Sequence, residues 1–366
     1  MRDFVVFIGA GASVPFGIPT MTEMVKKFED QLTNHKLVSL QPWVVMYRSL
    51  YQDIKSRLKY YRNYDIEALI TALQDIIDFE RIETRVLGNP SVHHFLADGN
   101  DVPKRVESVR LFSEKNREEA RALLKQVQGF VAESCNIIEK PFEIYTEFFH
   151  HVFLKQTGLT SFRDFANSSS PSTKKFNFIV FTTNYDCVLE AYCYAKRFDY
   201  DCGESTQQKL EIGKENTQLY SFDREACMIH KLHGSINWYR DEDGRMCYGT
   251  QPVRVGETTS LGRRVDKELL IYPAYEKYTF REPFYEMFHH LKECLLRCKA
   301  CYVVGYSFRD EDILGLFHDS MELNRDLRIC LIDLNADTIK KKFDNFSARV
   351  QTIAMPFSMK AARQLA

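Results

Sequence analysis

The chain has 366 residues, 45% of them hydrophobic, and a formal net charge of −1 at pH 7. That length allows two domains or one large domain with an insertion, and the apolar content is enough for a sizeable core. Because positive and negative charges balance, no broad nucleic-acid-binding surface is indicated, and direct nucleic-acid binding is not expected.

The first residues and the cysteines bear on cellular location. Met1-Arg2-Asp3 leads straight into an apolar run, so no secretory signal is predicted. No apolar run approaches the roughly 20 residues that a bilayer span needs. The 10 cysteines are scattered through the chain, which is typical of reduced thiols. We therefore expect a cytoplasmic protein that does not contact a membrane.

The first predicted element is a buried strand over Phe4–Ile8, followed directly by a glycine-containing turn over Gly9–Ser13. Two glycines in three residues allow a sharp turn and a close approach to a ligand, and exposed amide groups in such a loop suit a pyrophosphate. Val14 stands where the dinucleotide fingerprint needs its third glycine. A tight turn without a ligand therefore remains an alternative for this stretch.

A helix is predicted to follow Pro19. Thr20 is the candidate N-cap and Glu23 the residue that completes a capping box. A strand, a glycine turn and a helix in this order are typical of the opening unit of a nucleotide-binding α/β sheet.

From about residue 35 to 170 the pattern is helical, with few convincing strands. The predicted helices are Trp43–Lys59, the stretch from Ile66 to Ile77 capped by Asp65, Val106–Ile138 with a possible break at Gly129, and Pro141–Lys155. Residues 168–172 have the clearest loop composition in the chain. We predict that residues 35–170 are a helical insertion, and that residues 1–34 and 171–366 form one split domain.

Strands and helices alternate from about Phe176 onward. A β-hairpin is predicted over Ile236–Tyr248, with Asp243-Gly244 at its turn. The predicted strands are 176–181, 228–232, 301–304, 327–332 and 350–354, and the predicted helices are 184–196, 281–297, 309–323 and 336–343. The predicted fold class is α/β: a mostly parallel, Rossmann-like sheet flanked by helices, with a large helical insertion after the first βα unit.

Polar residues follow the predicted strand over 176–181, in the stretch Thr182-Thr183-Asn184-Tyr185-Asp186. The carboxyl edge of an open α/β sheet is where ligands bind. Asn184 offers a donor and acceptors, whereas an ionised Asp186 only accepts, so the pair can orient ribose hydroxyls or a water molecule. Simple capping of the next helix is the alternative.

A histidine, His233, follows a short strand and precedes Gly234. A histidine in that position can act as a general base near neutral pH. A structural histidine in a turn is the alternative.

Two further strand ends carry polar residues. Gly305, Ser307 and Phe308 belong to the sequence Gly-Tyr-Ser-Phe, where the glycine admits a ligand and the serine can hydrogen-bond a phosphate. Asp333 and Asn335 follow the next strand, and an acidic residue there can hold adenosine ribose hydroxyls. An ordinary turn and a helix cap are the alternatives.

The order of these motifs is more specific than any one of them. GAGAS with GIP, then TTNYD, HG, GYSF and IDLN, resembles the order in the sirtuin superfamily. The chain is similar to the sirtuin-like NAD-hydrolysing domains of prokaryotic antiviral defence systems. The resemblance covers about residues 4–20 and 176–335, and it implies that NAD+ is a substrate bound on a Rossmann-like sheet.

The resemblance also implies roles for individual residues. Asn184 and Asp186 match the polar pair beside the nicotinamide ribose, and His233 matches the catalytic histidine. The residues implied to contact the cofactor are Gly9, Ala10, Gly11, Ala12 and Ser13 at the phosphates, Pro19 and Thr20 in the cofactor loop, Thr183 beside the polar pair, and Gly305, Ser307, Phe308, Asp333 and Asn335 on the adenosine side.

Two departures from deacylating sirtuins concern the substrate. Gly17-Ile18-Pro19 is followed by Thr-Met-Thr, where those enzymes continue with Asp-Phe-Arg. Those enzymes also carry two Cys-x-x-Cys pairs for structural zinc between the HG and glycine-serine motifs. Here that interval holds Cys247, Cys294, Cys298 and Cys301, with Cys298 and Cys301 as its one pair, so four thiolates at zinc-finger spacing are absent. No metal is expected, and the loss of the zinc module argues against binding of acyl-lysine peptides.

The resulting hypothesis is hydrolysis of NAD+ to nicotinamide and ADP-ribose. Asn184 would position the ribose hydroxyls and the water, His233 would accept a proton, and Asp186 would keep the site oriented. An NAD-dependent protein deacylase and a non-catalytic module that binds NAD or ADP-ribose stay open, and a nuclease has no metal–carboxylate cluster to support it.

Uncontrolled NAD+ loss would harm the host cell, so a regulatory device is expected. The resemblance implies an NAD-depleting effector of antiphage defence, regulated by homo-oligomerisation or by a partner such as an ATPase or helicase. That expectation rests on family analogy alone.

Overall fold

The computed structural model describes residues 4–33, 50–52, 54–56, 65–77, 114–136, 138–139, 141–157, 178–196, 199–201, 226–249, 252–259, 262–270 and 284–365. Most of the predicted helix over Trp43–Lys59, the start of the one over Val106–Ile138 and the predicted loop at 168–172 lie outside these residues.

Ten strands are present in the described residues. They are β1 Phe4–Ile8, β2 Phe178–Thr182, β3 Asp199–Asp201, β4 Ala226–Lys231, β5 Gly234–Asp241, β6 Met246–Tyr248, β7 Val265–Leu270, β8 Ala300–Val304, β9 Arg328–Asp333 and β10 Val350–Ala354. Seven of them form one sheet in the order β10-β9-β8-β1-β2-β4-β3, with every pairing parallel.

The central strand β1 is apolar along its whole length because both faces of the sheet are covered. Val5, Val6 and Phe7 are fully buried, as continuous apolar strands of parallel sheets usually are. From β1 the chain passes to β2 and β4 on one side, and later to β8, β9 and β10 on the other. This is the Rossmann-type order, with the switch point between β1 and β8, and it confirms the predicted fold class.

The smaller sheet is antiparallel, in the order β6-β5-β7. β5 and β6 form the predicted hairpin, with Gly244 at φ 75° in its turn. Arg263 Nη1 lies 3.0 Å from Asp241 Oδ2, and Asp241 also accepts hydrogen bonds from the amides of Asp243 and Arg245. The buried Asp241 thus ties together both ends of the turn.

Residues 50–52 and 54–56, inside the predicted helix over Trp43–Lys59, are helical. Nine further α-helices have both ends within the described ranges. They are α1 Met21–Thr33, α2 Ile66–Ile77, α3 Glu114–Cys135, α4 Glu143–Thr157, α5 Val188–Lys196, α6 Phe284–Arg297, α7 Glu311–Leu323, α8 Ala336–Lys340 and α9 Met359–Arg363. None of these helices is long and apolar enough to cross a membrane.

Both predicted N-caps are confirmed. The Glu23 carboxylate accepts from the Thr20 amide at 2.8 Å, and the Glu23 amide donates back to Thr20 Oγ1 at 3.3 Å. The Ala68 amide donates to Asp65 Oδ1 at 3.0 Å. These contacts involve neighbours in the chain, which is why the sequence alone reveals them.

Several predicted bounds were wrong. α5 begins at Val188, not Asn184, because residues 183–187 leave the strand in an irregular turn. α3 runs through Gly129 without a break, and α8 ends at Lys340, where a 3-10 segment over Lys341–Arg349 follows. The short elements β3 and α9 were not predicted.

The chain divides into two compact units. The first comprises Met1–Ile18, Cys135–Leu270 and Tyr278–Ala366, and it contains both sheets. The second comprises Pro19–Ser134 and Ile271–Lys277; within it Phe28 packs against Tyr51 and Phe130, with ring centroids 6.3 and 5.4 Å apart. The predicted domain limits at 34/35 and 170/171 remain a prediction.

Candidate functional site

The turn after β1 and the turn after β8 touch backbone to backbone at the switch point. The Gly9 amide donates to Val304 O and the Gly11 amide to Gly305 O, both at 2.9 Å. Gly305 has φ 63°, and a Cβ there would lie 2.2 Å from the Ala12 nitrogen. Gly305 is therefore needed for both its backbone conformation and the closeness of the two turns.

This packing occupies the amide groups that were expected to be exposed. The amides of Gly9, Gly11, Ala12 and Ser13 all donate to backbone carbonyls within 3.1 Å. The expectation of free amide groups in this loop was wrong for these four, because the loop forms a 3-10 turn over Ala10–Ala12 and packs against Gly305. Their assignment to cofactor phosphates remains a prediction.

Three buried polar side chains are linked behind this turn. Asn184 Nδ2 donates to Gly9 O at 3.0 Å and to Ser13 Oγ at 2.8 Å. Ser13 Oγ in turn donates to Asp186 Oδ2 at 2.8 Å. The other oxygen of Asp186 caps α5 by accepting from the Val188 amide at 3.0 Å. The Asp186 carboxylate thus bonds both to the start of α5 and to the polar cluster. The Asn184 side chain bonds only to Ser13 and the Gly9 carbonyl.

Asn184 also carries an unsatisfied acceptor. Its Oδ1 atom is buried, and within the described part of the chain it has no hydrogen-bond partner. A buried amide oxygen in this state carries a desolvation cost that a donor would relieve. A hydroxyl group is chemically able to act as such a donor.

A buried ion pair supports the cluster from the next strand. Lys231 Nζ lies 2.8 Å from Glu190 Oε1 and donates to Ser235 Oγ at 2.8 Å and to the Asp186 carbonyl. Desolvation disfavours the Lys231 charge, but the Glu190 carboxylate and other nearby groups outweigh it, and the net effect is a raised Lys231 pKa. Lys231 stays charged and holds the backbone on which Asp186 sits.

His233 lies just beyond β4 and faces Asp310. Its Nε2 atom is 3.3 Å from Asp310 Oδ2, and both side chains are less than a tenth exposed. Asp310 Oδ1 accepts from the amides of Asp312 and Ile313, at 3.0 and 3.3 Å, and so caps α7. The histidine therefore lies at ion-pair distance from a carboxylate fixed by a helix N-terminus, although the two atoms are outside hydrogen-bond geometry in the described residues.

Ser307 and Phe308, the two predicted residues in the turn after β8, differ in exposure. Ser307 is exposed, whereas the Phe308 side chain is fully buried, with its ring 5.0 Å from those of Phe317 and Phe343. Phe308 also adopts φ 52°, unusual for a non-glycine residue. Its ring belongs to the core, so only its backbone faces the turn.

The turn after β9 is closed by its own aspartate. Asp333 Oδ1 accepts from the Asn335 amide at 2.7 Å, and the exposed Asn335 side chain makes no capping hydrogen bond. Thr183, after β2, is half-buried and donates its amide to Ile8 O at 3.2 Å. Pro19 and Thr20 belong to the second compact unit, so their predicted role in the cofactor loop remains a prediction.

Three residues of the site were not singled out by the sequence: Lys231, Glu190 and Asp310. Lys231 and Glu190 are charged residues within otherwise apolar, buried stretches. Lys231 ends a buried strand, and Glu190 lies among buried residues of α5. Asp310 precedes α7, where it was expected to be part of an ordinary helix start. A charge at a position that periodicity assigns to the interior is the signal that could have identified the first two.

The cysteines of the Cys-x-x-Cys pair lie in the core. Burial raises the pKa of Cys298 to about 12 and that of Cys301 well above its usual value. Cys247 lies on β6, with its Sγ 3.6 Å from Asp241 Oδ2. Among the described residues, no group of three or more His, Cys, Asp or Glu side chains is placed to hold a metal ion.

A parallel sheet in Rossmann order, with a glycine turn at its switch point and buried polar side chains at its carboxyl edge, defines a Rossmann-type α/β domain. Residues 179–349, almost half of the chain, match the model of a family described as SIR2-like domain. The matched stretch includes Asn184, Asp186, His233 and Asp310. No curated protein matches the chain.

Solved structures of Sir2 homologues align along nearly the whole chain at low identity. One is a Sir2 homologue–NAD complex, with 11% identity, a TM-score of 0.42, and coverage of 99% of this chain and 88% of that one. A mutant Sir2 homologue in complex with ADP-ribose has 10% identity, a TM-score of 0.43, and coverage of 99% and 91%. A Sir2–p53 peptide–NAD+ complex has 11% identity, a TM-score of 0.40, and coverage of 100% and 92%. At such scores these likenesses carry no argument about this chain.

Proposed function

We propose that this chain is a sirtuin-like NAD+ glycohydrolase that cleaves NAD+ to nicotinamide and ADP-ribose. The observation that carries the proposal is the buried Ser13–Asn184–Asp186 cluster between the turns after β1 and β2, with Asn184 Oδ1 left without a donor. A ribose hydroxyl would supply that donor. The match of residues 179–349 to SIR2-like domains supports the same reading.

The proposed reaction breaks the bond between the ribose anomeric carbon and the nicotinamide nitrogen. The electron pair of that bond leaves with nicotinamide, which becomes neutral, and positive charge builds on the ribose. A water oxygen forms the new bond to the same carbon. Asn184 holds the ribose hydroxyls and the water, and His233 takes the proton that the water loses. The products are nicotinamide, ADP-ribose and one proton.

Asp186 and Lys231 contribute in different ways. The Asp186 carboxylate fixes Ser13, and through it the Asn184 amide group, at distances of 2.8 Å. Lys231 is charged but turned away from the cluster toward Glu190 and Ser235. It therefore acts on the shape of the turn rather than on the substrate.

The biological setting proposed here rests on the sequence resemblance alone. An NAD-depleting effector in antiphage defence would be regulated by homo-oligomerisation or by a partner such as an ATPase or helicase. A cytoplasmic location would fit this role. The cofactor-site roles implied for Gly9 to Ser13, Gly305, Ser307, Asp333 and Asn335 belong to the same proposal.

Two alternative functions would give different outcomes in the same assay. A protein deacylase would release acetyl-ADP-ribose from an acetylated peptide, and a binding module would retain NAD+ or ADP-ribose without turnover. Incubation of NAD+ with the protein, with and without an acetylated peptide, separates the three by chromatography.

The test compares the wild type with Asn184→Ala and His233→Ala. We expect nicotinamide and ADP-ribose from the wild type, and at least a 10²-fold lower rate from each variant, since each removes a group used in the transition state. Asn345→Ala and His289→Ala change the same residue types at exposed positions and serve as controls. Circular dichroism confirms that the variants fold. Full hydrolysis by a folded Asn184 or His233 variant would overturn the site.

A further inference from the structure

We infer that Asp310 is a positioning residue for His233: it fixes the imidazole with its Nε2 proton toward the carboxylate, leaving Nδ1 as the proton-accepting atom. This inference rests on the proposed function for its catalytic consequence. Its structural content stands on the 3.3 Å separation of His233 Nε2 and Asp310 Oδ2 alone.

The two oxygens of Asp310 face different partners. Oδ1 accepts from the amides of Asp312 and Ile313 in the first turn of α7. With that oxygen held by two hydrogen bonds, the carboxylate is fixed in place, and its Oδ2 lies 3.3 Å from His233 Nε2. The helix N-terminus favours a negative charge at this position.

An ionised carboxylate can only accept hydrogen bonds, so it selects one form of the imidazole. The proton of neutral His233 belongs on Nε2, facing Asp310, and Nδ1 then carries the free electron pair. When Nδ1 takes a proton from the reacting water, the resulting cation is paired with the Asp310 carboxylate. The same logic underlies the aspartate of serine-protease triads, which orients a histidine without itself becoming protonated.

The pairing also joins two parts of the sheet edge. His233 follows β4, and Asp310 follows β8, which lies beyond β2 and β1 in the sheet. Both side chains are more than nine-tenths buried. The next two acidic residues of α7, Glu311 and Asp312, are exposed, so the buried carboxylate at this helix start is the one that reaches His233.

Asp310→Asn is the informative substitution because asparagine is also a good N-cap. Its Oδ1 can keep the two amide hydrogen bonds of α7, while its Nδ2 replaces an acceptor with a donor facing His233. The imidazole would then have to present an unprotonated Nε2 and carry its proton on Nδ1. Asp310→Ser keeps a capping oxygen but removes the group that reaches His233. Asp312→Asn makes the same chemical change at an exposed neighbour and is the control.

Two measurements test the inference. In NAD+ hydrolysis we expect Asp310→Asn to lower kcat by about 10²-fold with little change in KM, Asp310→Ser to lower it less, and Asp312→Asn to leave it unchanged. In ¹H–¹⁵N spectra of the imidazole nitrogens, assigned by loss of the signal in His233→Gln, we expect the proton on Nε2 in the wild type and on Nδ1 in Asp310→Asn.

The spectra keep the two proposals distinguishable. If the wild type shows no NAD+ hydrolysis, the proposed function fails, but the tautomer measurement still decides the Asp310 inference. An Nδ1–H tautomer in the wild type, or the same tautomer in wild type and Asp310→Asn, would overturn it. So would a kcat for the folded Asp310→Asn variant within twofold of that of an active wild type.

Discussion

The Ser13 hydroxyl donates a 2.8 Å hydrogen bond to Asp186 Oδ2 across 173 positions of the chain. The bond joins the turn after β1 to the turn after β2, which are neighbours in the sheet. Asn184 Nδ2 donates to the same hydroxyl, so Ser13 Oγ is the atom that links Asn184 to Asp186.

Replacing Ser13 with alanine tests how much this hydroxyl contributes to stability. It leaves Asn184 Nδ2 with one acceptor and Asp186 Oδ2 without its donor, so we expect the free energy of unfolding to fall by about 1–3 kcal/mol. Urea denaturation of Ser13→Ala measures this, with the exposed Ser347→Ala as the control. Equal midpoints for the two variants would show that the hydroxyl contributes nothing to stability.

The buried pair of Lys231 and Glu190 provides a second prediction. Lys231→Met leaves the Glu190 carboxylate buried without its cation, at an expected cost of about 3–5 kcal/mol in unfolding free energy. The double variant with Glu190→Gln should lose less than the sum of the two single changes, because it removes both charges.

Lys292→Met is the control for this cycle. Lys292 lies 3.7 Å from Asp319, and both side chains are more than a third exposed. We expect a change of about 0–1 kcal/mol there, as is usual for surface ion pairs. Additive losses in the Lys231–Glu190 cycle would mean that the two charges do not stabilise each other.

A third prediction compares two glycines. Gly305→Ala places a Cβ 2.2 Å from the Ala12 nitrogen at a positive φ, so we expect marked destabilisation, with about 1–3 kcal/mol from backbone strain alone. Gly315 lies in the exposed part of α7, where a Cβ meets nothing within 4 Å. Gly315→Ala should stabilise the protein by about 0.4–1 kcal/mol.

Thermal unfolding measures both substitutions under the same conditions. Opposite shifts of Tm are expected for the two alanines. A Gly305→Ala variant as stable as the wild type would mean that the two turns can separate without cost, and that their contact does not shape the site.

The thiols of Cys298 and Cys301 give a prediction about pH. Burial raises the pKa of Cys298 to about 12, so little reactive thiolate forms below that pH. We expect both cysteines to resist iodoacetamide at pH 8 and 9 in the folded protein, whereas the half-buried Cys294 is modified first. Peptide mass spectrometry before and after denaturation checks this. Modification of Cys298 as fast as Cys294 in the folded protein would contradict it.

Structural zinc offers a fifth prediction. Zinc binds thiolates, and the raised pKa values of Cys298 and Cys301 oppose their formation. We therefore expect EDTA to leave Tm unchanged and metal analysis of the purified protein to find far less than one zinc per chain. Stoichiometric zinc, with a Tm that falls on chelation, would contradict this.

The predictions that succeeded depend on residues close together in the chain. The run Phe4–Ile8 and the return of apolar runs after residue 176 predicted the strands of a parallel sheet, because strands covered on both faces are apolar throughout. The caps at Thr20 and Asp65 were predictable because a cap acts within one turn of helix.

The partners of the site residues were not predictable in the same way. Sequence order placed His233 and Asp310 in different motifs, and nothing local indicated that they meet. Nor did local pattern show that the glycine-turn amides pair within the protein, or that the Phe308 ring lies in the core. Each depends on which strands are neighbours and on how their turns pack.

The sequence by itself determined most of the described strands and helices of this protein and the edge of the sheet at which its polar residues lie. Periodicity, glycine placement and capping depend on residues close together in the chain, so they can be predicted from the sequence alone. Only the tertiary structure decided that Ser13 joins Asn184 to Asp186, that Lys231 pairs with Glu190, and that Asp310 lies beside His233. These contacts arise because the strand order brings distant turns together, and burial then favours partners for the polar groups found there.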